Sequence, residues 1–407
     1  MSAMKTASLA GATAAVRAEA TSLSPLLRFR NIFGALGIIL AIAAVIMGIS
    51  SGAALFFEAY LYSFVFWTGA SLGAFLMLTV VHMAGGSWGA LIRKPLEAAI
   101  AVLPLMAVLL IPIFFGMNSL YLWTDAEYVA GSALVGAKSA LLNTPFFIIR
   151  NIAYFGIWIL GAFLFLRGSA RQDEDETGKV AFRLRRMGPG WLAIYVMTMT
   201  FAAIDWTMSL TPEWFSGIYP TILMSGQAVF AVALMIIVMS ALARISPTID
   251  RLLTEKRLQD LGNFLMAFSM FWAYVSISQL IIIWSNNTME TSAYYVARIT
   301  GTWEPVAIFL TVFGFFGPFA ILFSRWVKRK RGALVIVAIW MILVRMLDLY
   351  WIVIPSYGRV GSEFQWLDVI MILGMGGLWL AVFLHQLAKR PLIPARDPRL
   401  QEALHGH

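Results

Sequence analysis

The sequence predicts an all-α polytopic membrane protein with ten transmembrane helices, two four-helix bundles (helices 2–5 and 6–9) and two peripheral helices, with both termini inside. Three observations predict it: the composition, ten long apolar stretches, and the placement of the basic residues. Of the 407 residues, 60% are hydrophobic and 13% charged, whereas a water-soluble domain carries roughly a quarter charged residues. Such a chain needs lipid as its solvent. In lipid an isolated strand leaves backbone groups unpaired, so the crossings must be helices.

Crossing about 30 Å of hydrocarbon takes about 20 residues at about 1.5 Å each. Ten stretches are long enough: Ile32–Ala54, Leu61–Met83, Ala98–Met117, Pro145–Leu166, Trp191–Leu210, Gly217–Ser240, Leu261–Trp284, Trp303–Arg325, Ala333–Ile354 and Gln365–Leu387. They imply a tail over 1–31, a membrane domain over 32–387 and a second tail over 388–407. The first 30 residues are small and polar, without an apolar core ahead of a cleavage site, and read as a cytoplasmic tail.

Orientation follows from lysine and arginine. With the N-terminus inside, the inner segments hold 25 of the 30 basic residues, and the outer loops hold three, Lys138, Arg298 and Arg359. Arg150 and Arg345 lie in or at helices. A bias that alternates through ten crossings supports the helix count and an N-in, C-in arrangement. The net charge of +9 is then a topology signal and points to no nucleic-acid partner. The chain has no cysteine, which excludes thiolate-bound iron–sulfur clusters and disulfides within it.

Two connections stand out. "RGSARQDEDETGKVAFRLRRMGP", Arg167 to Pro189, reads as the longest inner connection, a solvated linker or a docking site. Asn118 to Thr144 reads as an outer loop that covers that face or meets an extracytoplasmic subunit. An internal echo also appears. The fifth and ninth stretches each place an aspartate seven residues before a proline, Asp205 to Pro212 and Asp348 to Pro355, and the third and seventh end near Trp123 and Trp284. Two copies of a four-helix unit would produce this, as in membrane proteins that handle small ions or solutes.

Carboxylates inside the spans carry the functional signal. An aspartate at a helix centre costs roughly 2.5 to 3.5 kcal/mol to insert. Asp205 and Asp348 fall in the outer third of the bilayer. As stations on a proton path they would take and release a proton; as structural groups they would clamp helices. Arg345, three residues before Asp348 and on the same helical face, stays charged and cannot relay a proton. Asp368, Gln279 and Glu304 lie near outer helix ends, the first two as further members of the path. On the inner side His82 and Glu97 flank the turn between the second and third stretches, and His82 is suited to proton transfer or to a quinone carbonyl. A membrane cytochrome b needs paired histidines deep in the bundle for each haem; His82 and His385 could serve at most one, near the inner surface. Trp123, Trp191, Trp206, Trp214, Trp284, Trp303 and Trp351 fall near helix ends, as interfacial belts require.

Taken together, "DWTMSLTPEWFSGIY" (Asp205–Tyr219), "GGSWGALIRKPLEA" (Gly85–Ala98), "AFSMFWAYVSISQLIIIWSNN" (Ala267–Asn287), "LDLYWIVIP" (Leu347–Pro355) and the closing "DPRLQEALH" (Asp397–His405) resemble the NrfD-like integral membrane family. The similarity is greatest to the ActF type of subunit in bacterial alternative complex III, and it spans nearly the whole chain after the N-terminal tail. It implies ten helices in two four-helix bundles. It also implies a place in the bacterial cytoplasmic membrane within a quinol:cytochrome c oxidoreductase. The partners implied are the lipid bilayer, a paralogous NrfD-like subunit, an extracytoplasmic iron–sulfur subunit and c-type cytochrome subunits. Iron–sulfur clusters and c-type haems would sit in those other subunits, with quinol as substrate and no cofactor bound by this chain. Such a subunit is not catalytic alone; it would support proton translocation, with an outer path of Asp205, Asp348, Arg345, Asp368 and Gln279 and an inner one of His82 and Glu97. The family pattern implies an aspartate and a histidine where this chain has Thr211 and Glu213, and a histidine where it has Arg345. A passive membrane anchor and a stand-alone secondary transporter are the other readings; the transporter would need helices interrupted by Gly or Pro in paired segments, for which Gly314, Pro318 and Pro220 are the candidates.

Overall fold

In the computed structural model, residues 24–175, 177–286, 288–360 and 365–393 are described. The ends of both expected tails, including Asp397–His405, lie outside them. Among the described residues ten helices are long and apolar enough to cross a membrane: α1 Pro25–Ser51, α2 Ala53–Ala84, α3 Trp88–Phe115, α4 Thr144–Gln172, α5 Lys179–Leu210, α6 Tyr219–Leu242, α7 Glu255–Asn286, α8 Gly301–Phe323, α9 Arg331–Tyr357 and α10 Trp366–Ala388. Each overlaps one expected stretch, and among the described residues there is no strand.

Several helices outrun their apolar cores. α1 begins about two turns before Ile32, with Pro25 in its first turn, where a missing N–H costs nothing. α4 continues to Gln172 and α5 starts at Lys179, so most of the expected connection Arg167 to Pro189 is helix. Hydropathy marks only the hydrocarbon layer; charged turns extend the same helices into the interface.

α2 and α6 form the centre. In each, 83% of the most apolar stretch is buried within the protein, against 17% in α1 and 22% in α8. A helix apolar on all sides belongs inside. α2 packs on α3, α5, α6 and α10, and α6 packs on α2, α5, α7 and α9. Lipid tails are as apolar as leucine, so close approach has to come from small residues. At Gly73 of α2, a Cβ would stand 2.1 Å from the carbonyl oxygen of Gln227 on α6. α1 lies along α10 through a similar seam, where a Cβ on Gly377 would be 2.6 Å from the Cα of Gly37.

Two spans are irregular. α3 is built of Ser87–Ile100, Leu103–Leu109 and Ile111–Phe115, with Pro104 and Pro112 each removing a backbone donor at a joint. α8 contains a π-helical segment, Leu310–Phe316, of a kind often found beside functional sites.

The segment between α3 and α4 forms short helices, Met117–Leu120, Ala126–Gly131 and Ala133–Ala137. It lies against the α5–α6 connection, with Lys138 Nζ donating to the Pro212 carbonyl at 2.5 Å and Ser132 Oγ to Glu213 Oε1 at 3.0 Å. This cover explains a departure from the expected tryptophan belt. Trp123, Trp206, Trp214 and Trp303 are buried, while Trp284 is 79% exposed. Trp123, Trp206 and Trp214 thus serve as packing under the loops at that face, while Trp303 packs on Tyr350 and donates to the Arg359 carbonyl at 2.8 Å.

Candidate functional site: buried ion pairs of the spans

Arg150 and Tyr154 are one turn apart on α4 and share a face, which turns both toward α5. There Asp205, 1% exposed, accepts three donors. Arg150 Nε reaches Oδ2 at 2.9 Å, Arg150 Nη2 reaches Oδ1 at 2.7 Å, and the Tyr154 hydroxyl reaches Oδ2 at 3.0 Å. The guanidinium is fixed further by donating to the Leu141 carbonyl at 2.8 Å and by the Phe146 ring, 4.3 Å away. Two parallel charge-assisted bonds constrain this carboxylate tightly.

The second aspartate is held differently. Arg345 and Asp348 belong to the same face of α9, and a single bond, Nη1 to Oδ2 at 3.1 Å, joins them. The Arg345 guanidinium rests 3.7 Å from the Trp272 ring centroid, a cation–π contact strengthened by burial. Its Nε and Nη2 have no hydrogen-bond partner among the described residues. Asp348 lines two cavities. One, of about 160 Å³, lies among α6, α7, α8 and α9, with Trp272, Ser276, Gln279, Tyr294 and Thr311 in its wall. The other, of about 40 Å³, lies among α2, α6 and α9, with Gly69, Gln227 and Arg345 in its wall. Roughly 10 to 15 Å³ accommodates one water, so both can be wet. Gln227 also accepts a bond from the Tyr195 hydroxyl of α5 at 2.7 Å.

Asp368 starts α10 and carries a third arrangement. Arg359 Nη2 donates to its Oδ2 at 2.7 Å, the Tyr350 hydroxyl donates at 2.9 Å, and Arg359 Nη1 also lies 3.5 Å from Glu58 Oε2 on α2. Two carboxylates thus share one guanidinium. Gln279 on α7 accepts from Ser216 Oγ at 2.8 Å and donates to the Tyr295 hydroxyl at 3.0 Å.

At the opposite ends of the spans, the face rich in lysine and arginine, His82 stacks on Phe165 with ring centroids 5.3 Å apart and planes 7° from parallel. Glu97 accepts from Arg93 Nε at 2.8 Å and lies 3.6 Å from Lys94 Nζ. Lys94 also donates to Asp173 at 2.7 Å and to Ser169 at 2.9 Å. Burial pushes the Asp173 carboxyl above its ordinary range, with the Lys94 ammonium opposing part of that shift.

The expected outer residues therefore do not gather into one cluster. Asp205, Asp348 and Asp368 stand in three separate ion pairs with three different arginines, and of the five positions only Asp348, Arg345 and Gln279 border the cavities. His82 and Glu97 are likewise engaged with different partners. His385, the other candidate haem ligand, is 3.2 Å from Arg30 of α1 through Nδ1. Among the described residues no group of three or more His, Cys, Asp or Glu is placed to hold a metal ion.

Sequence reasoning passed over Glu58, Arg150, Tyr154, Tyr350, Arg359, Lys94 and Asp173 as site members. A usable signal existed for α4: an arginine and a tyrosine at i and i+4 inside an apolar run need a buried acceptor. The chain matches no known protein-family model, and no curated protein matches it.

Proposed function

We propose that this chain is a membrane subunit of a quinol:electron-acceptor oxidoreductase of the alternative complex III kind, and that it supports proton movement coupled to quinol oxidation. The observation that carries the reading is Asp348: a carboxylate with one bonded oxygen, its arginine on the same helix, and a cavity on either side. A carboxyl so placed can exchange a proton with water. Asp205 would have to break three bonds to do so, and the Arg150 clamp supports a structural role for it. Intramembrane acids are rare enough to count as functional candidates by default. Glu97 and Asp173, bridged by Lys94, are the candidates for the inner end.

The same reading assigns the architecture. α2 with α3 and α5, α3 with α4, and α4 with α5 make one set of contacts; α6 with α7 and α9, α7 with α8, and α8 with α9 make the other. This supports two four-helix bundles with α1 and α10 outside them. The basic-residue bias supports both termini at the cytoplasmic face of a bacterial inner membrane. Its partners would be a paralogous NrfD-like subunit, an extracytoplasmic iron–sulfur subunit and c-type cytochromes, as the motifs from Gly85 to Pro355 imply.

The transporter reading has less support. It asks for interruptions at corresponding places in the two halves, but the irregular spans are α3 and α8, and by the repeat α3 corresponds to α7. Purification in mild detergent tests the assignment: co-elution with multihaem and iron–sulfur polypeptides is expected, and a chain that elutes alone and transports a solute in vesicles overturns it.

A further inference from the structure

A cavity of about 280 Å³ opens between the basic-face ends of α7 and α8, lined by Gln259, Asn263, Met266, Phe323, Arg325 and Lys328. Lys328 belongs to the short helix Arg325–Arg329 that links α8 to α9. Its side chain is 6% exposed. Gly262 of α7 makes this possible, because a Cβ there would stand 2.7 Å from Lys328 Cγ. The stem crosses α7 at that glycine, and the ammonium ends beside Asn263, donating to Oδ1 at 2.8 Å.

That ammonium has a neutral acceptor and no ion-pair partner among the described residues. The neighbouring Asp250 is committed to Arg331 at 2.5 Å, and Arg329 is bonded to Gln259 at 2.8 Å. Burial and the charge of Arg325 both hold the Lys328 ammonium below its ordinary range. Burying a cation without an anion is costly. Two cations at the rim of one cavity are arranged for an anion that arrives from elsewhere.

The rest of the cavity says what kind of anion. Met266 and Phe323 supply an apolar wall, and Phe323 and Trp326 are 72% and 63% exposed at the end of a span, the depth at which aromatic side chains meet the headgroup layer. We propose that this cavity holds the phosphate of an anionic phospholipid, its acyl chain descending along Met266 and Phe323. Arg325 offers a planar fork for two phosphate oxygens, and Lys328 a point charge. Gln259 and Asn263 add amide groups for the glycerol and ester oxygens. Basic pockets between spans are a known physical solution for anionic headgroups. The inference does not depend on the redox reading.

The experiment is native mass spectrometry of the full chain in mild detergent, titrated with phosphatidylglycerol or with phosphatidylcholine of the same acyl chains. Phosphatidylglycerol is expected to bind about tenfold more tightly, the equivalent of about one charge-assisted contact, and both Lys328→Gln and Arg325→Gln should remove most of that preference. Arg325 is exposed and its replacement disturbs no packing, so that variant remains informative if Lys328→Gln fails to fold. Equal affinity for the two lipids overturns the proposal. So does an unchanged preference in Arg325→Gln, or displacement of phosphatidylglycerol by millimolar inorganic phosphate, which would mark a site for a free anion.

Discussion

Arg150 closes on Asp205 with two nearly parallel bonds, 2.9 and 2.7 Å, from α4 to α5, whereas Arg345 meets Asp348 through one bond within α9. The first pair joins two helices directly; the second lies within one helix, and its arginine reaches α7 through the Trp272 ring. Their mutants should behave differently.

Removing one partner of a buried pair typically costs about 3 to 5 kcal/mol, while replacing both with apolar groups of similar volume is close to neutral. Asp205→Asn or Arg150→Met alone should lower thermal stability in detergent sharply, and Asp205→Leu combined with Arg150→Met should recover most of the loss. A double variant no better than the singles would count against the clamp.

For Asp348→Asn the expectation is some loss of stability, because Arg345 keeps its buried charge, with assembly retained and a changed coupling ratio. If the chain works in a quinol-oxidising complex as proposed, protons released per electron in that complex should fall toward the stoichiometric release of quinol oxidation itself. An unaltered ratio, measured with a pH indicator outside sealed vesicles, would favour the passive anchor.

Gly73 tests the central contact. Gly73→Ala drives a methyl against the Gln227 backbone, where the first contact stands at 2.1 Å, and overpacking of this kind costs about 1 to 3 kcal/mol. Gly85→Ala instead faces an unfavourable positive φ, while a Cβ there meets nothing within 4 Å, so the two variants separate crowding from backbone strain. Reduced yield of folded monomer for Gly73→Ala is the readout.

Acidity should act through Asp173. Its folded-state carboxyl sits above the ordinary value of 3.8 because burial outweighs the pull of Lys94. A raised value means that folding favours the protonated form, so the associated stability is fully present below 3.8 and is lost as pH rises through the raised value. Asp173→Asn should flatten the stability curve through the weakly acidic range, and a curve identical to wild type would remove this assignment.

The spans were legible because twenty apolar residues in a row leave few alternatives, and Asp205 and Asp348 stood out against that background. Their partners were not. Arg150 is 55 positions from Asp205 and Arg359 is 301 from Glu58, and no local pattern specifies contacts made by helices that meet only after folding. The tryptophans misled for a related reason: Trp206 and Trp214 sit at helix ends, but the folded segment over 117–143 covers them. Arg345 was legible as a fixed charge beside Asp348, but spacing cannot reveal the cavities on both sides of the pair.

The glycine seam between α1 and α10 joins the first of the ten described spans to the tenth. A ribosome makes these helices in order, so α1 enters the membrane with its principal mate still hundreds of residues from being synthesised. Gly37 and its neighbours must wait, facing lipid, until Gly374 and Gly377 arrive. Closure of this seam therefore waits for every span between α1 and α10, and a chain that stops short of α10 leaves α1 without its principal contact.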